Sequence, residues 1–487
     1  MNTLALSEMN EQSFRDWFAM SADVQIRTYD FGTPSYPIPL VLMYCEGMAD
    51  LSVINELVLT QLQHMLDSFD EIKPELLNKY RTLQLEQITT PDPLVTLQHR
   101  LYSGELIIFF EEHKWIFSLD ISRPPERGPE ESSTEVSIKG PRDGFTENLT
   151  TNIALIRKRL KTKSLCIEKF VIGERTQTSV GLIYISDIAN PEIIVEAKSW
   201  LTAIKADALL TSAQLEIPST SLFPLFDSVG RPDYVVQSLL RGRFAVLVEG
   251  TPMAVIAPAN LLLILKSPED VHLPFFYVSI ERLLRLLGLI LALFLPGFWI
   301  AVSSYNLDQI PFPLLATISS SRLGLPFSGT VDFFLILALF EMFREAGLRL
   351  PKPVGQTVAV VGGLIIGDAA IRAGITGPIT LVTTAISTIS MFTLVNQSLA
   401  GTITLFRLLI LIASSMFGMF GFMLAVVSLV LYLSTLESFG VSYLAPLSPP
   451  KFRNIAAAVL ALPWKKLKRR PAFLHPTDPT RQGGDAS

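Results

Sequence analysis

The stretch Leu283–Ser303, LLRLLGLILALFLPGFWIAVS, carries one charge, Arg285 near its start, and is otherwise apolar or small. A helix rises 1.5 Å per residue, so about 20 such residues cross a hydrocarbon core of about 30 Å. The rest of the chain divides around this segment. Up to His272 there are 24 Lys and Arg against 36 Asp and Glu, and afterwards 16 against 9, which together give the net −5. A mean hydropathy of +0.40 with 17% charged residues over 487 positions is too apolar for an ordinary soluble chain. An acidic first half therefore precedes a basic, membrane-seeking second half.

Beyond Ser303 the apolar stretches are Val331–Phe340, Val358–Ala373, Ile379–Leu399 and Ile403–Ser434, the last interrupted only by Arg407. That last stretch exceeds one bilayer thickness, so it must tilt, project, or break near Gly418 and Gly421. The tail Lys451–Arg470 holds seven Lys and Arg and no acid, which puts the C-terminus in the cytoplasm by the positive-inside rule. That tail reads either as a solvated arm or as a contact for anionic lipid headgroups. The opening MNTLALSEMNEQSFRDWF has no basic region followed by an apolar core, so the acidic half is expected to stay cytoplasmic too. Both ends on one side require an even number of crossings. We expect about four, with Val331–Arg349 amphipathic, lying at the interface or lining a path. Five or six stay open, six if the long segment forms two half-helices and the charged one crosses fully.

In the acidic half, YPIPLVLMYCEGMAD and ELIIFFEEHKWIFSLDIS read as strands with a hairpin at Glu111–Lys114, and Leu51–Met65 is apolar at helical spacing. After a Pro, Gly and Glu-rich connection, FTENLTTNIALIRKRLK opens a second unit. Its strands lie near Leu165–Ile172 and Val180–Ile185, a helix near Pro191–Ile204, and a hairpin turns at Gly250-Thr251-Pro252. The expected fold is two cytoplasmic α/β subdomains, 1–125 and 145–272, joined by a linker at 126–144. An α-helical transmembrane domain at 273–448 and a basic tail at 449–487 follow.

Chemistry-bearing patterns are sparse: there is no phosphate-binding, dinucleotide-binding, zinc-protease or nucleophile-elbow motif, and the five histidines are scattered. No catalytic, cofactor or metal site is expected, and no nucleic-acid partner. Cys45 and Cys166 lack metal-ligand spacing and read as buried thiols. Glu111-Glu112 and Glu269-Asp270 read as solvated charge. FEMFREAGLRLP, Phe340–Pro351, is different, because it sets Glu341, Arg344, Glu345 and Arg349 in an apolar region where unpaired charge is costly. We expect Glu341 and Arg344 to pair and Glu345 and Arg349 to face water or another subunit. VAVVGGLIIGDAAIRAG, Val358–Gly374, offers a candidate constriction at Val360, Val361 and Ile365 with Asp368 as a cation-attracting ring. The alternative is tight packing with Asp368 paired to Arg372. Arg142 and Asp143, before the helix FTENLTTNIALIRKRLK, are candidates for an inter-subunit or domain-docking contact, the alternative being ordinary helix-terminus electrostatics.

Four blocks in order, GPRDGFTENLTTNIALIRKRLK, RPDYVVQSLLRGRFAVLVEGTPMAVIAP, RLLRLLGLILALFLPGFWIAVSSYN and FEMFREAGLRLPKPVGQTVAVVGGLIIGDAAIRAG, resemble the GerA family, the A subunits of nutrient receptors for spore germination. The resemblance runs from about Tyr29 to Pro450. It implies a protein of the spore inner membrane that works with a transporter-like B subunit, which binds the nutrient, and a lipoprotein C subunit. It also implies a homo-oligomer that forms a nutrient-gated channel for monovalent cations, not an enzyme. The chain departs from the family's usual pattern at Val229-Gly230-Arg231-Pro232-Asp233 and Glu269-Asp270-Val271-His272. The stage V sporulation AF protein, thought to amplify ion release, resembles it too. PGFWIAVSSYN and FREAGLRLPKPVGQ look more like the receptor branch. A membrane scaffold without conduction is the competing role.

Overall fold

A computed structural model describes residues 9–33, 36–67, 83–88, 93–123, 139–216, 221–349, 367–448, 450, 452–463 and 468–481. Helix α1 (Glu11–Trp17) precedes strands β1 (Val24–Thr33) and β2 (Tyr36–Cys45), then a helical run that passes through a π-turn at Ile54–Val58 into α2 (Leu59–Asp67). Short β3 (Glu86–Gln87), helix α3 (Pro93–Leu101) and the hairpin β4 (Leu106–Phe110) and β5 (Trp115–Leu119) complete a five-stranded antiparallel sheet in the order β1-β2-β4-β5-β3. β4, LIIFF, is buried at every position, as expected for a central strand covered on both faces. Its hairpin turns at Glu111–Lys114, where the sequence places it, with Lys114 at φ 58°.

The same order of elements then recurs. Helix α4 (Leu149–Arg157), β6 (Leu165–Ile172), β7 (Thr178–Ile185), α5 (Pro191–Ala203), β8 (Asp227–Val229), α6 (Pro232–Leu239), β9 (Phe244–Val248) and β10 (Ala254–Ala257) build a second antiparallel sheet, ordered β6-β7-β9-β10-β8. Both units thus follow one plan, and asparagine side chains cap corresponding helices: Asn10 for α1 and Asn148 for α4, with Asn190 capping α5. The units dock through backbone bonds between Met20–Ala22 and Ile167. Beside them Arg157, fully buried, holds Asp23 at 2.8 Å and lies 4.1 Å from the ring centre of Tyr102. Cys45 and Cys166 are both buried thiols, and burial beside Asp23 pushes the Cys45 thiol well up.

The core of the second unit continues without a break into the helical half. After α7 (Leu261–Ile264), helix α8 (Phe275–Tyr305) extends about 46 Å at 1.5 Å per residue. At its far end Ser304 meets Thr330, so α9 (Phe312–Arg322) connects it to the start of α10 (Gly329–Arg349). α10 packs along the bundle, with Phe333 and Leu337 buried against Ile300 and Leu411. Residues 367–372 are helical, and Gly377, just before α11 (Pro378–Met391), donates to Asp332 at 3.4 Å. α11 therefore starts beside the start of α10 and runs back toward the sheets, its Ser387 donating to Ala292 of α8.

The long helix α12 (Gln397–Thr435) breaks at Gly418, with φ 59° and ψ −137°. Its two arms lie antiparallel: the rings of Phe406 and Tyr432 are 6.0 Å apart, and both ends return to one loop of the second unit. Thr402 donates to the carbonyl of Leu222, and Leu222 N–H donates to Tyr432. Of the outcomes the sequence left open, tilting, projecting or breaking near Gly418 and Gly421, the chain takes the break, at Gly418, and its consequence is a helical hairpin whose tip touches Tyr305 at the far end of α8. Among the described residues, Phe275–Tyr305 and Ser398–Thr435 are the helices long and apolar enough to cross a membrane. α13 (Phe452–Val459) follows, anchored to α8 where Ser279 bonds Ala461.

Candidate functional site

Two of the charges of FEMFREAGLRLP, Glu341 and Arg344, find their partners in the middle of the bundle. Arg344 lies 2.7 Å from Glu341 one turn away on α10, as expected from the sequence. The other carboxylate oxygen of Glu341 is taken by Arg407 of α12. Arg344 also donates to Thr404 at 3.1 Å and to the sulfur of Met391 at 3.3 Å. Three helices thus contribute to one centre: α10 with Glu341 and Arg344, α11 with Met391, and α12 with Thr404 and Arg407. Arg407 sits roughly midway along the first arm of α12, about 15 Å from either end by helical rise. The sequence reading left Arg407 without a role, although a lone arginine in an apolar run was itself the signal.

The other candidate residues are distributed differently. Glu345 is exposed on α10, and Arg349 ends that helix. Asp368 pairs with Arg372 at 2.8 Å on an exposed surface, the contact of the packing alternative, and such pairs contribute a few tenths of a kcal/mol. Val360, Val361 and Ile365 lie outside the described residues. Asp143 is bound by Arg159, two residues past the end of α4, and Arg142 is engaged as well.

A second ionic centre joins the second unit to α8, and it corrects the reading of Glu269-Asp270 as solvated charge. Both are buried. Arg231 binds Asp233 at 2.8 Å and also Glu269, while His272 lies 2.9 Å from Asp233. Asp270 accepts from Arg282 at 2.7 Å and Arg285 at 2.8 Å, both on the first turns of α8. Burial opposes ionisation of Asp233, but Arg231 and His272 outweigh it and hold its carboxyl below the ordinary range. Carboxylates in solvent would leave α8 free to pivot; here each is bound by arginine across the junction. The two stretches singled out as departures, around Arg231 and around Glu269, are the two that meet in this network.

A third contact ties the same sheet to the helical hairpin. Asn396, the N-cap of α12, donates to Asp227 of β8 at 3.0 Å, and Tyr234 donates to it at 3.2 Å. Burial pushes the Asp227 carboxyl up to about 6, with Asn396 and Tyr234 limiting the rise. Of the helices that carry the Glu341 centre, α12 is therefore held at its root by Asp227 of the second sheet.

A family model described as Bacillus/Clostridium GerA spore germination protein matches residues 12–473. The chain belongs to the GerA family. This GerA chain is 41% identical over 479 residues to spore germination protein XA of Bacillus anthracis, covering 98% of this chain and 97% of that one. It is 34% identical to YfkQ of Bacillus subtilis (strain 168), described as an uncharacterized membrane protein, over 92% of this chain and 88% of the relative. Among solved structures, the N-terminal domain of the A subunit of the Bacillus megaterium spore germinant receptor GerK3 is 27% identical. That comparison has a TM-score of 0.40 and covers 51% of this chain and 92% of the other.

Proposed function

We propose that this chain is the A subunit of a nutrient-responsive germination receptor in the spore inner membrane, where copies of it assemble into a gated channel for monovalent cations. The observation that carries the reading is the GerA match across residues 12–473, which takes in both sheets and the whole helical half. Its partners are a transporter-like B subunit that binds the nutrient and a lipoprotein C subunit. Apolar dimensions support a membrane location: from Leu286 to Tyr305 α8 offers about 30 Å of helix, and the first arm of α12 about the same.

In this reading the chain passes the membrane six times, through α8, α10, the segment leading into 367–372, α11 and the two arms of α12. Both termini then lie on the spore-core side, with the sheets. Division at 125, 145, 273 and 449 separates two α/β units, the helical domain and the basic tail. The gate is an apolar constriction at Val360, Val361 and Ile365, closed by exclusion of water, with Asp368 drawing cations to it. Arg142 and Asp143 lie where a neighbouring copy docks. The ionic centre at Glu341 sets helix position and does not itself conduct, since its two guanidiniums oppose cation entry.

Replacing Val360 or Val361 by alanine lowers a dewetting barrier, so spores carrying either variant should leak potassium or germinate prematurely. Flame photometry of dormant spores and a germination time course read this directly. Ion retention and germination equal to the parent in both variants would remove the constriction from these residues.

A further inference from the structure

Where α8 enters its apolar stretch, Lys266 and Arg282 line a cleft whose walls are Leu262 and Leu265 at α7, Leu286 of α8, and Ala458 and Val459 of α13. Leu286 begins the part of α8 long enough to cross a hydrocarbon core, and Arg282 precedes it by one turn, about 6 Å. A headgroup layer is about 5–7 Å thick on each side of that core, so the cleft spans the boundary between headgroups and acyl chains. Phe276, Tyr277, Ile280 and Leu284, on the same turns of α8, are exposed, as aromatic and aliphatic residues of a membrane interface are.

Two cations meet at this boundary without a partner. Lys266 and Arg241 are both half-buried, and neither side chain makes a hydrogen bond or an ion pair among the described residues. Burial pushes the Lys266 ammonium well below its ordinary range, and the guanidiniums of Arg241, Arg282 and Arg243 add to the push. Burial lowers Arg241 as well, with Arg481 and Arg282 adding to it against Tyr234 and Asp270. Asp270 counters both groups, but its oxygens already accept from Arg282 at 2.7 Å and Arg285 at 2.8 Å. The neighbouring acids are engaged too: Glu281 by Arg285, Glu269 by Arg231 and Asp478 by Arg470. Ammonium and guanidinium groups only donate, so this corner calls for an anion rich in acceptor oxygens.

We infer that Lys266 and Arg241, with Arg282 beside them, bind the phosphate of an anionic phospholipid headgroup, whose glycerol end rests on the apolar walls of the cleft. The ammonium supplies a point charge and the guanidinium a planar set of donors, a combination suited to phosphate oxygens. Free inorganic phosphate offers the same oxygens, but the leucine, alanine and valine walls and the depth of Leu286 fit a lipid. A lipid held there ties the second unit, α8 and α13 together at the membrane surface. The inference rests on the proposed membrane location of α8 and on no part of the conduction reading.

The test is thermal unfolding of the purified full chain in dodecyl maltoside, titrated with dioleoylphosphatidylglycerol, dioleoylphosphatidylcholine or inorganic phosphate. Phosphatidylglycerol should raise Tm saturably, by several degrees beyond phosphatidylcholine, and inorganic phosphate should not. Lys266→Gln and Arg241→Gln should each move the half-saturation several-fold higher, while melting in phosphatidylcholine no lower than the parent, because each removes an unpaired cation. Lys468→Gln combined with Arg469→Gln removes two exposed charges of the tail and should keep the parent's response. An equal rise with both lipids, an equal rise with inorganic phosphate, an equal loss in the tail variant, or a parent-like half-saturation in both single variants overturns the site. A chain that stays soluble without detergent and responds to neither lipid overturns the membrane location with it, whereas one that needs detergent yet shows no preference for phosphatidylglycerol overturns the site alone.

Discussion

Asp227 shows how one residue joins a sheet to a membrane-seeking helix. Its carboxyl accepts from Asn396 at the root of α12 and titrates near 6 in the fold against about 4 in an unfolded chain. A raised carboxyl binds its proton more tightly when folded, so its contribution is present below about pH 4 and is lost as pH rises to about 6. Above that it stays lost, at a cost of about 3 kcal/mol. Asp227→Asn keeps a polar partner for Asn396 and Tyr234 while removing the titration. Stability of the variant, read by thermal melts from pH 4 to pH 7, should lack the parent's decline between pH 4 and pH 6. An unchanged decline would place the titrating group elsewhere. Single residues were only partly legible in the sequence. The pairing of Glu341 with Arg344 followed from helical spacing, whereas the third member, Arg407, is 66 positions from Glu341 and required the packing of two helices. Glu269 and Asp270 were misjudged for the same reason, because Arg231, 38 residues from Glu269, makes burial of that carboxylate tolerable.

Elements were read more completely, since strands and helices announce themselves through local periodicity. The hairpin at Glu111–Lys114 and the turn at Gly250-Thr251-Pro252 appear in place, and the longest apolar run takes one of the three courses open to it, a break at Gly418. Gly418 makes that break possible. Its φ of 59° with ψ of −137° is a glycine conformation, and a Cβ there would lie 2.8 Å from Cγ of Tyr305. Gly418→Ala should therefore destabilise the folded chain by roughly 1–3 kcal/mol, a loss of several degrees in Tm. Gly401→Ala is the matched control, because that glycine lies within the first arm and a Cβ would meet nothing within 4 Å. Equal melting temperatures for the two variants would contradict the hairpin. What periodicity could not reveal was that the two α/β units share one topology, because strand order is set by pairing between distant segments.

At the scale of the whole molecule, two docked sheets form a base from which α8 and the α12 hairpin rise, and ion pairs at Asp270 and a hydrogen bond at Asp227 fix that base to the helices. The composition shift at His272 foretold the division, and the apolar run Leu283–Ser303 foretold the first rising helix. Coupling between the halves was not foretold, because it rests in part on Glu269 and Asp270, which looked solvent-facing in the sequence. In the proposed function, copies of this chain assemble around a gated cation path. Reconstituting the purified full-length chain into planar bilayers, with its oligomeric state fixed beforehand by light scattering, tests that claim most directly. The expected result is an oligomer with discrete monovalent-cation conductance that increases in Val361→Ala; a well-folded oligomer of parent and variant that passes no current under any condition, including addition of the B and C subunits and nutrient, would rule the channel out.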